Sequence, residues 1–272
     1  MVTLGASALD PFPQIARYNS PYAAHRDGRA VDLYPGRSVA PSPVAGTVTE
    51  TRTTRAPSRP YAADHDHLIV IDTGGALARV LHVEPSVDPG DPVELGDPLG
   101  ELVRSGYFAR WVDNHVHLGF RAEGADPIRA SGSLPVELDV PLVGLSWDGT
   151  GTVRETGETY AVLDAPTHPN PGSAYVGVAD DTGRYVLDGG VPHYETGGVY
   201  PVDGPGPDDV ELLGTRLASA TGTVEWEDVA VRANGRQITG LSLLLGRDGF
   251  GAKLVCPERE FEIGEQVAVE IR

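Results

Sequence analysis

The sequence predicts an all-β protein of two domains. Thirty-four glycines and 23 prolines break the chain at short intervals. The apolar residues between them fall in short, alternating, β-branched runs, the pattern of strands rather than helices. At 272 residues the chain is long enough for two ordinary cores, and a polar stretch near its middle offers a place to divide it.

The first domain is placed at residues 1–132. Its strands are read from Ala30 to Leu33, Gly46 to Thr51, Leu68 to Asp72, Leu77 to Val83 and Val116 to Phe120. Between the last two, Gly90, Gly96 and Gly100 with flanking Pro and Asp force tight turns, while Val87, Val93 and Leu99 recur every six residues to fill a core. The result is a short-stranded β-sandwich with sharp corners. Arg121 to Leu134 has little apolar content and reads as a linker. The second domain, 133–272, is β-rich, with strands at Tyr160 to Leu163, Tyr175 to Val178, Val229 to Val231, Leu241 to Leu245, Lys253 to Val255 and Gln266 to Ile271. Gly-Thr-Val recurs at Gly46, Gly151 and Gly222, too short a unit to establish a repeat.

Net charge is −18 and Lys253 is the sole lysine. Such a surface repels nucleic acid and anionic membranes, and no phosphate-loop Gly-Lys-Ser/Thr is present, so neither is expected as a partner. Acid excess with so little lysine resembles proteins of salt-accumulating archaea, where a Debye length of about 3 Å at 1 M salt screens like-charge repulsion. Met1 to Asp10 has no basic region followed by a continuous apolar run, and no stretch approaches a membrane span, so the expected location is the cytoplasm. A single cysteine, Cys256, excludes an internal disulfide and a cysteine-based zinc cluster.

Chemistry concentrates at Asn114-His115-Val116-His117-Leu118-Gly119-Phe120. A strand throws residues i and i+2 onto one face, so His115 and His117 point side by side. Two neutral imidazoles and a carboxylate form a common catalytic zinc set with a fourth position open. His25, Asp32 and His117 would supply it, and Asp32 is otherwise awkward at the head of the apolar strand Val31-Asp32-Leu33. His82 follows another apolar strand. Asp64-His65-Asp66-His67 is a second His-x-His, read as a solvated loop because only His67 borders the apolar run. His168, in Pro166-Thr167-His168-Pro169-Asn170-Pro171, reads as exposed. His193 lies in the glycine-rich stretch Asp188 to Gly198, read as a loop that forms a binding surface of the second domain or covers the mouth of the first-domain site. Tyr107, Phe108 and Trp111 either wall a cleft or pack as an ordinary loop. Asp113 or Asn114 would orient an imidazole beside them.

The order of these motifs resembles the M23 family of zinc metallopeptidases, the lysostaphin and LytM-like endopeptidases, over about residues 20–122. The counterparts are His25 and Asp32, then Pro43-Val44-Ala45-Gly46-Thr47-Val48, then Arg79-Val80-Leu81-His82-Val83, the turn series Val87 to Gly100, and finally His115-Val116-His117-Leu118-Gly119-Phe120. The resemblance implies an M23 peptidase-like β-sandwich related to the barrel-sandwich hybrid architecture. It implies zinc ligands at His25, Asp32 and His117, catalytic histidines at His82 and His115, and a peptide or amide substrate. The family typically cuts glycine-containing cross-links of cell-wall peptidoglycan; a salt-adapted archaeal composition points to a different, unidentified substrate. The alternative is a non-catalytic metal- or polymer-binding scaffold derived from such a domain. The Val87 to Gly100 series also resembles biotinyl and lipoyl carrier domains, but those need a lysine at a hairpin tip and the first domain has none.

Overall fold

The structure is a computed structural model that describes residues 1–129, 131–202, 204, 209–219 and 222–272. It is all-β apart from the single-turn helices Ala6–Leu9 and Ala23–Arg26 among the described residues. No helix among them is long and apolar enough to cross a membrane. Two compact units are formed, one from Met1–Ile15 and Asp27–Asp139, the other from Ala16–Arg26 and Val140–Arg272.

In the first unit, hydrogen-bonded strands follow the order Ala30–Tyr34, Val116–Ala122, Ala76–Leu81, His65–Asp72, Gly46–Arg55 and Pro92–Val93. Alternation sends Val116, Leu118 and Phe120 into the core, each no more than 1 % exposed, and full burial of such a side chain stabilises by about 1.5–3 kcal/mol. A smaller sheet pairs Val39–Pro41 with Pro98–Leu102 and Pro98–Leu102 with Val83–Pro85. Its corner needs Gly100: at φ 146° a Cβ there would fall 1.9 Å from the carbonyl oxygen of Glu84. Val93 and Leu99 are buried as their spacing predicts, whereas Val87 is only half-buried.

Two readings of this unit are corrected. The strand Val116–Ala122 continues through Arg121, which is 1 % exposed and donates to Ser133 Oγ and to the carbonyl of Arg129, so the polar stretch is no linker at its start. The His65–Asp72 strand begins three residues before the apolar run, because pairing with Gly46–Arg55 extends to Arg55↔His65.

In the second unit the largest sheet runs Gly222–Glu225, Thr196–Pro201, Tyr185–Val191, Gly240–Leu243, Lys253–Val255, Tyr160–Leu163, Thr150–Gly157, Gln266–Ile271, Val231–Ala233 and Arg236–Gln237. Tyr185, Leu187, Leu241 and Leu254 lie in its core. The glycine-rich stretch read as a loop is two paired strands, with Asp188 opposite Gly198 and Gly189 opposite Gly197. Its glycines make room for aromatic rings: a Cβ on Gly198 would fall 2.0 Å from Tyr18, and one on Gly197 2.0 Å from Trp226. The segment Ala16–Arg26, which carries Tyr18, is thereby seated on this sheet.

Candidate metal centre

Strand register brings the first two candidate ligands together. Val116–Ala122 pairs with Ala30–Tyr34 so that His117 lies directly opposite Asp32, and Nδ1 of His117 donates to Oδ1 of Asp32 at 2.9 Å. Directly opposed residues on neighbouring strands share a face. Asp32 is buried and His117 half-buried. Two ligand atoms held this closely by one proton can be held by a divalent cation once the proton leaves.

His25 is set by its own short helix, Ala23–Arg26, and by its ring. Nδ1 lies 2.8 Å from the carbonyl oxygen of Arg17, and because a carbonyl only accepts, Nδ1 carries the proton. Nε2 is then the nitrogen with a lone pair, the form a metal ligand needs, with its other nitrogen anchored as such ligands commonly are. One ligand atom from each of His25, Asp32 and His117 lies within 4.8 Å of the others. Two imidazoles and a carboxylate gathered in this way are a donor set that could hold a divalent ion.

His115 stands against Asp32 with Nε2 3.4 Å from Oδ1. Its Nδ1 donates to the carbonyl oxygen of Asp113 at 2.8 Å, which settles the orienting group as Asp113, through its backbone. In that tautomer the Nε2 lone pair faces a carboxylate oxygen, an arrangement that a cation or an incoming proton relieves. Phe108 stacks on His115 with centroids 4.3 Å apart, and Tyr34 lies tilted at 5.0 Å.

His82 breaks the strand that precedes it. Its φ is 69°, a left-handed conformation that costs a non-glycine residue about 1–3 kcal/mol, and bonds from its amide to His67 O and from Val103 N to its carbonyl hold it there. The ring meets Phe108 edge-on at 4.6 Å, His115 at 5.4 Å and His117 at 5.8 Å. Behind it lies a partner that sequence reasoning missed. Nδ1 of His82 is 2.7 Å from Oδ2 of Asp66, which also accepts from Ser105 Oγ at 2.8 Å, while Oδ1 accepts from the His67 amide at 2.8 Å. Asp66 and Ser105 are both buried. Burial works to raise the Asp66 carboxyl, but the hydrogen bond and charge of His82, then Ser105 and the His67 amide, hold it below the usual carboxylate range. Burial lowers the His82 imidazole, with Asp66 opposing. The dyad is therefore an ionised carboxylate and a neutral imidazole that keeps its proton on Nδ1.

The remaining histidines lie elsewhere. His65 is exposed and His67 half-buried, with Nδ1 3.1 Å from Thr53 Oγ1, so the second His-x-His is strand rather than solvated loop, and its important residue is the aspartate in the middle. The signal was register: Asp66 precedes Leu68 by two, Leu68 pairs with Leu81, and Leu81 pairs with His117, which places Asp66 on the histidine face. His168 is buried, not exposed; its Nε2 lies 3.0 Å from the Ala174 carbonyl and its Nδ1 accepts from the Asn170 amide. His193 fills space left by glycines: a Cβ on Gly190 would fall 2.5 Å from its Nε2. Burial lowers its pKa to about 4. Phe108 is buried against the site histidines while Tyr107 is exposed.

Fold and site together define an all-β protein of two units with a His-Asp-His group able to take a metal ion. The chain belongs to the DUF8155 family: the domain of unknown function DUF8155, N-terminal domain, matches residues 3–138, and its C-terminal domain matches residues 143–272. No curated protein matches the chain. Among solved structures it is similar to the SpoIIQ-SpoIIIAH pore forming complex at 20% identity and a TM-score of 0.24, over 42% of this chain and 66% of that one, just under two thirds of its length. It is similar also to the solution structure of lysostaphin at 15% identity and a TM-score of 0.28, over 81% of this chain and 98% of that one.

Proposed function

We propose that the first unit is an M23-like zinc-dependent peptidase or amide hydrolase. The observation that carries this reading is the convergence of His25, Asp32 and His117 to within 4.8 Å, beside two further imidazoles whose tautomers are fixed so that each turns Nε2 away from its anchor. The sequential order of the motifs supports it independently. Zinc bound by the three ligands would supply Lewis acidity for the scissile carbonyl.

The protein's own groups provide proton handling. His115, anchored through Nδ1 on Asp113, presents Nε2 as a proton acceptor next to Asp32. His82 accepts a proton at its own Nε2, and the buried Asp66 carboxylate balances the imidazolium that results. Phe108 stacks on His115 and meets His82 edge-on, packing both rings in place. Nothing in this arrangement requires a cell-wall substrate; it requires an amide carbonyl that can reach the ligand group.

The test is zinc content of the full chain purified in multimolar salt without chelator, followed by mass spectrometry of a mixed peptide library incubated with the zinc-loaded protein. About one zinc per chain with new peptide termini is expected. A protein that takes up no zinc on loading ends the metal reading. Zinc without any cleavage leaves the scaffold alternative.

A further inference from the structure

Arg104 to Asn114 links the strands Pro98–Leu102 and Val116–Ala122 of the first unit, and side chains rather than a sheet ladder fix its course. Its start is tied to the neighbouring loop. The Ala63 amide donates to the Arg104 carbonyl at 2.9 Å, and Gly106 passes so close to Pro57 that a Cβ on it would fall 1.8 Å from the Pro57 carbonyl oxygen. Tyr61 Oη donates to the Phe108 carbonyl at 3.0 Å. The half-buried Arg104 guanidinium gathers the rest. Its Nη2 donates to the carbonyls of Ala109 at 2.9 Å and Arg110 at 3.1 Å, and its Nη1 donates to that of Val112. The backbone itself closes this stretch through a long bond, Val112 N to Ala109 O at 3.2 Å. The guanidinium carbon also lies 5.5 Å from the centroid of Phe108, the ring that packs on His115 and His82.

Arginine carries five donors in a rigid fork and keeps its charge, and drawing such a group out of water is costly unless its donors find partners. Here three carbonyls of one short stretch take bonds from it. The next carbonyl along, that of Asp113, accepts from Nδ1 of His115 at 2.8 Å. We infer that Arg104 is a positioning residue for the His115 ring: by holding the Val112–Asp113 peptide through the Val112 oxygen, it sets the Asp113 oxygen that keeps the ring proton on Nδ1 and leaves Nε2 as the acceptor beside Asp32. Every group in this series of contacts belongs to the first unit. The purpose of the support rests on the hydrolase reading above, but the support itself needs no metal.

The experiment reads the His115 tautomer by nitrogen-15 NMR of the histidine-labelled full chain, freed of metal by chelator, at about two pH units above the ordinary imidazole value of about 6.5. In the wild type His115 and His82 should both carry the proton on Nδ1. Arg104→Met, which keeps the length and removes the donors, is expected to move the His115 tautomer ratio about fivefold toward Nε2–H, the change that loss of one ordinary hydrogen bond brings. His82, held by Asp66, should stay as it was. Arg104→Lys keeps the charge without the fork and should shift His115 the same way by a smaller factor; it carries the test should Arg104→Met fail to fold. On the zinc-loaded protein Arg104→Met should lower any hydrolysis about 10–100-fold with metal content unaltered. An unmoved His115 in Arg104→Met, or in Arg104→Lys where Arg104→Met does not fold, overturns the inference. So does a wild-type His115 protonated on Nε2, or an equal shift of both rings, which would mark a general loosening of the unit. A wild type that takes up no zinc while His115 shifts as expected removes the hydrolase reading and leaves the positioning role standing; a wild type that binds zinc and cleaves peptide while His115 stays unmoved in the variants removes the positioning role alone.

Discussion

His115-Val116-His117 and His65-Asp66-His67 each carry two histidines around one residue at the entry of a strand in the first unit, yet they turn opposite ways. In the former the middle residue enters the core and both imidazoles lie against Asp32; in the latter the middle aspartate lies on that same face and His65 looks out to solvent. Composition does not separate them. The phase of each strand does, because a pleat has period two and a one-residue offset exchanges the faces. What covers the second face also matters. Phe108 and Tyr34 close over His115, whereas the His65 face is left to water.

The largest break in that comparison is His117→Ala, which removes a candidate ligand and the partner of Asp32 together. Zinc affinity should fall by more than the roughly 10–100-fold that outer-sphere losses produce, with the fold retained in high salt by circular dichroism. Unchanged metal content would remove His117 from the ligand set. His82→Ala comes next: metal should stay bound at full stoichiometry while any hydrolysis drops about 10²–10⁴-fold, the range for loss of a general acid or base. An equal loss of zinc would recast His82 as a ligand.

Asp66→Asn sharpens the contrast, since it tests whether the middle residue of the second His-x-His serves the site. Activity is expected to fall about 10–100-fold through misorientation of His82, with metal content unaltered. The substitution also carries a pH signature. Asp66 is held below its unfolded value, so in the wild type it adds stability above about pH 4 that is lost as pH falls through the folded value. Denaturant midpoints of Asp66→Asn should therefore drop less on acidification than those of the wild type. Asp188 has the opposite sign. Burial raises it to about 6, so the folded state holds a proton that the unfolded state releases, and stability falls as pH rises from about 4 to about 6. Asp188→Asn should lose that decline, and a midpoint that still falls over this window in the variant would assign the decline to another group.

How much of this was legible follows from the range of each signal. Strands such as Tyr160–Leu163, Tyr175–Val178 and Gln266–Ile271 occur as their β-branched runs predict, because alternation is a local property. The meeting of His25, Asp32 and His117 could be anticipated from residue type and motif order. Asp66 could not, since its placement depends on the pairings Leu68↔Leu81 and Leu81↔His117, and a single sequence does not print register. Asp188, which is buried, was hidden for the same reason over a longer span: two of its donors, the Arg17 and Tyr18 amides, lie about 170 residues away. His168 was misjudged because prolines signal a loop but not what packs around it.

The smallest expected effect is also the cleanest test of the phase argument. His65 is exposed, and its neighbours along the strand face are His67 and the solvent side of the paired Gly46–Arg55 strand. Substitution of an exposed residue that supports no buried group shifts stability by about 0.5 kcal/mol at most, so His65→Ala should match the wild type in zinc stoichiometry, affinity and denaturant midpoint. Were His65→Ala to lose zinc while His117→Ala kept it, the pleat would have to be read in the opposite phase, Asp66 would point to solvent, and the ligand group would belong to the second His-x-His instead of the first.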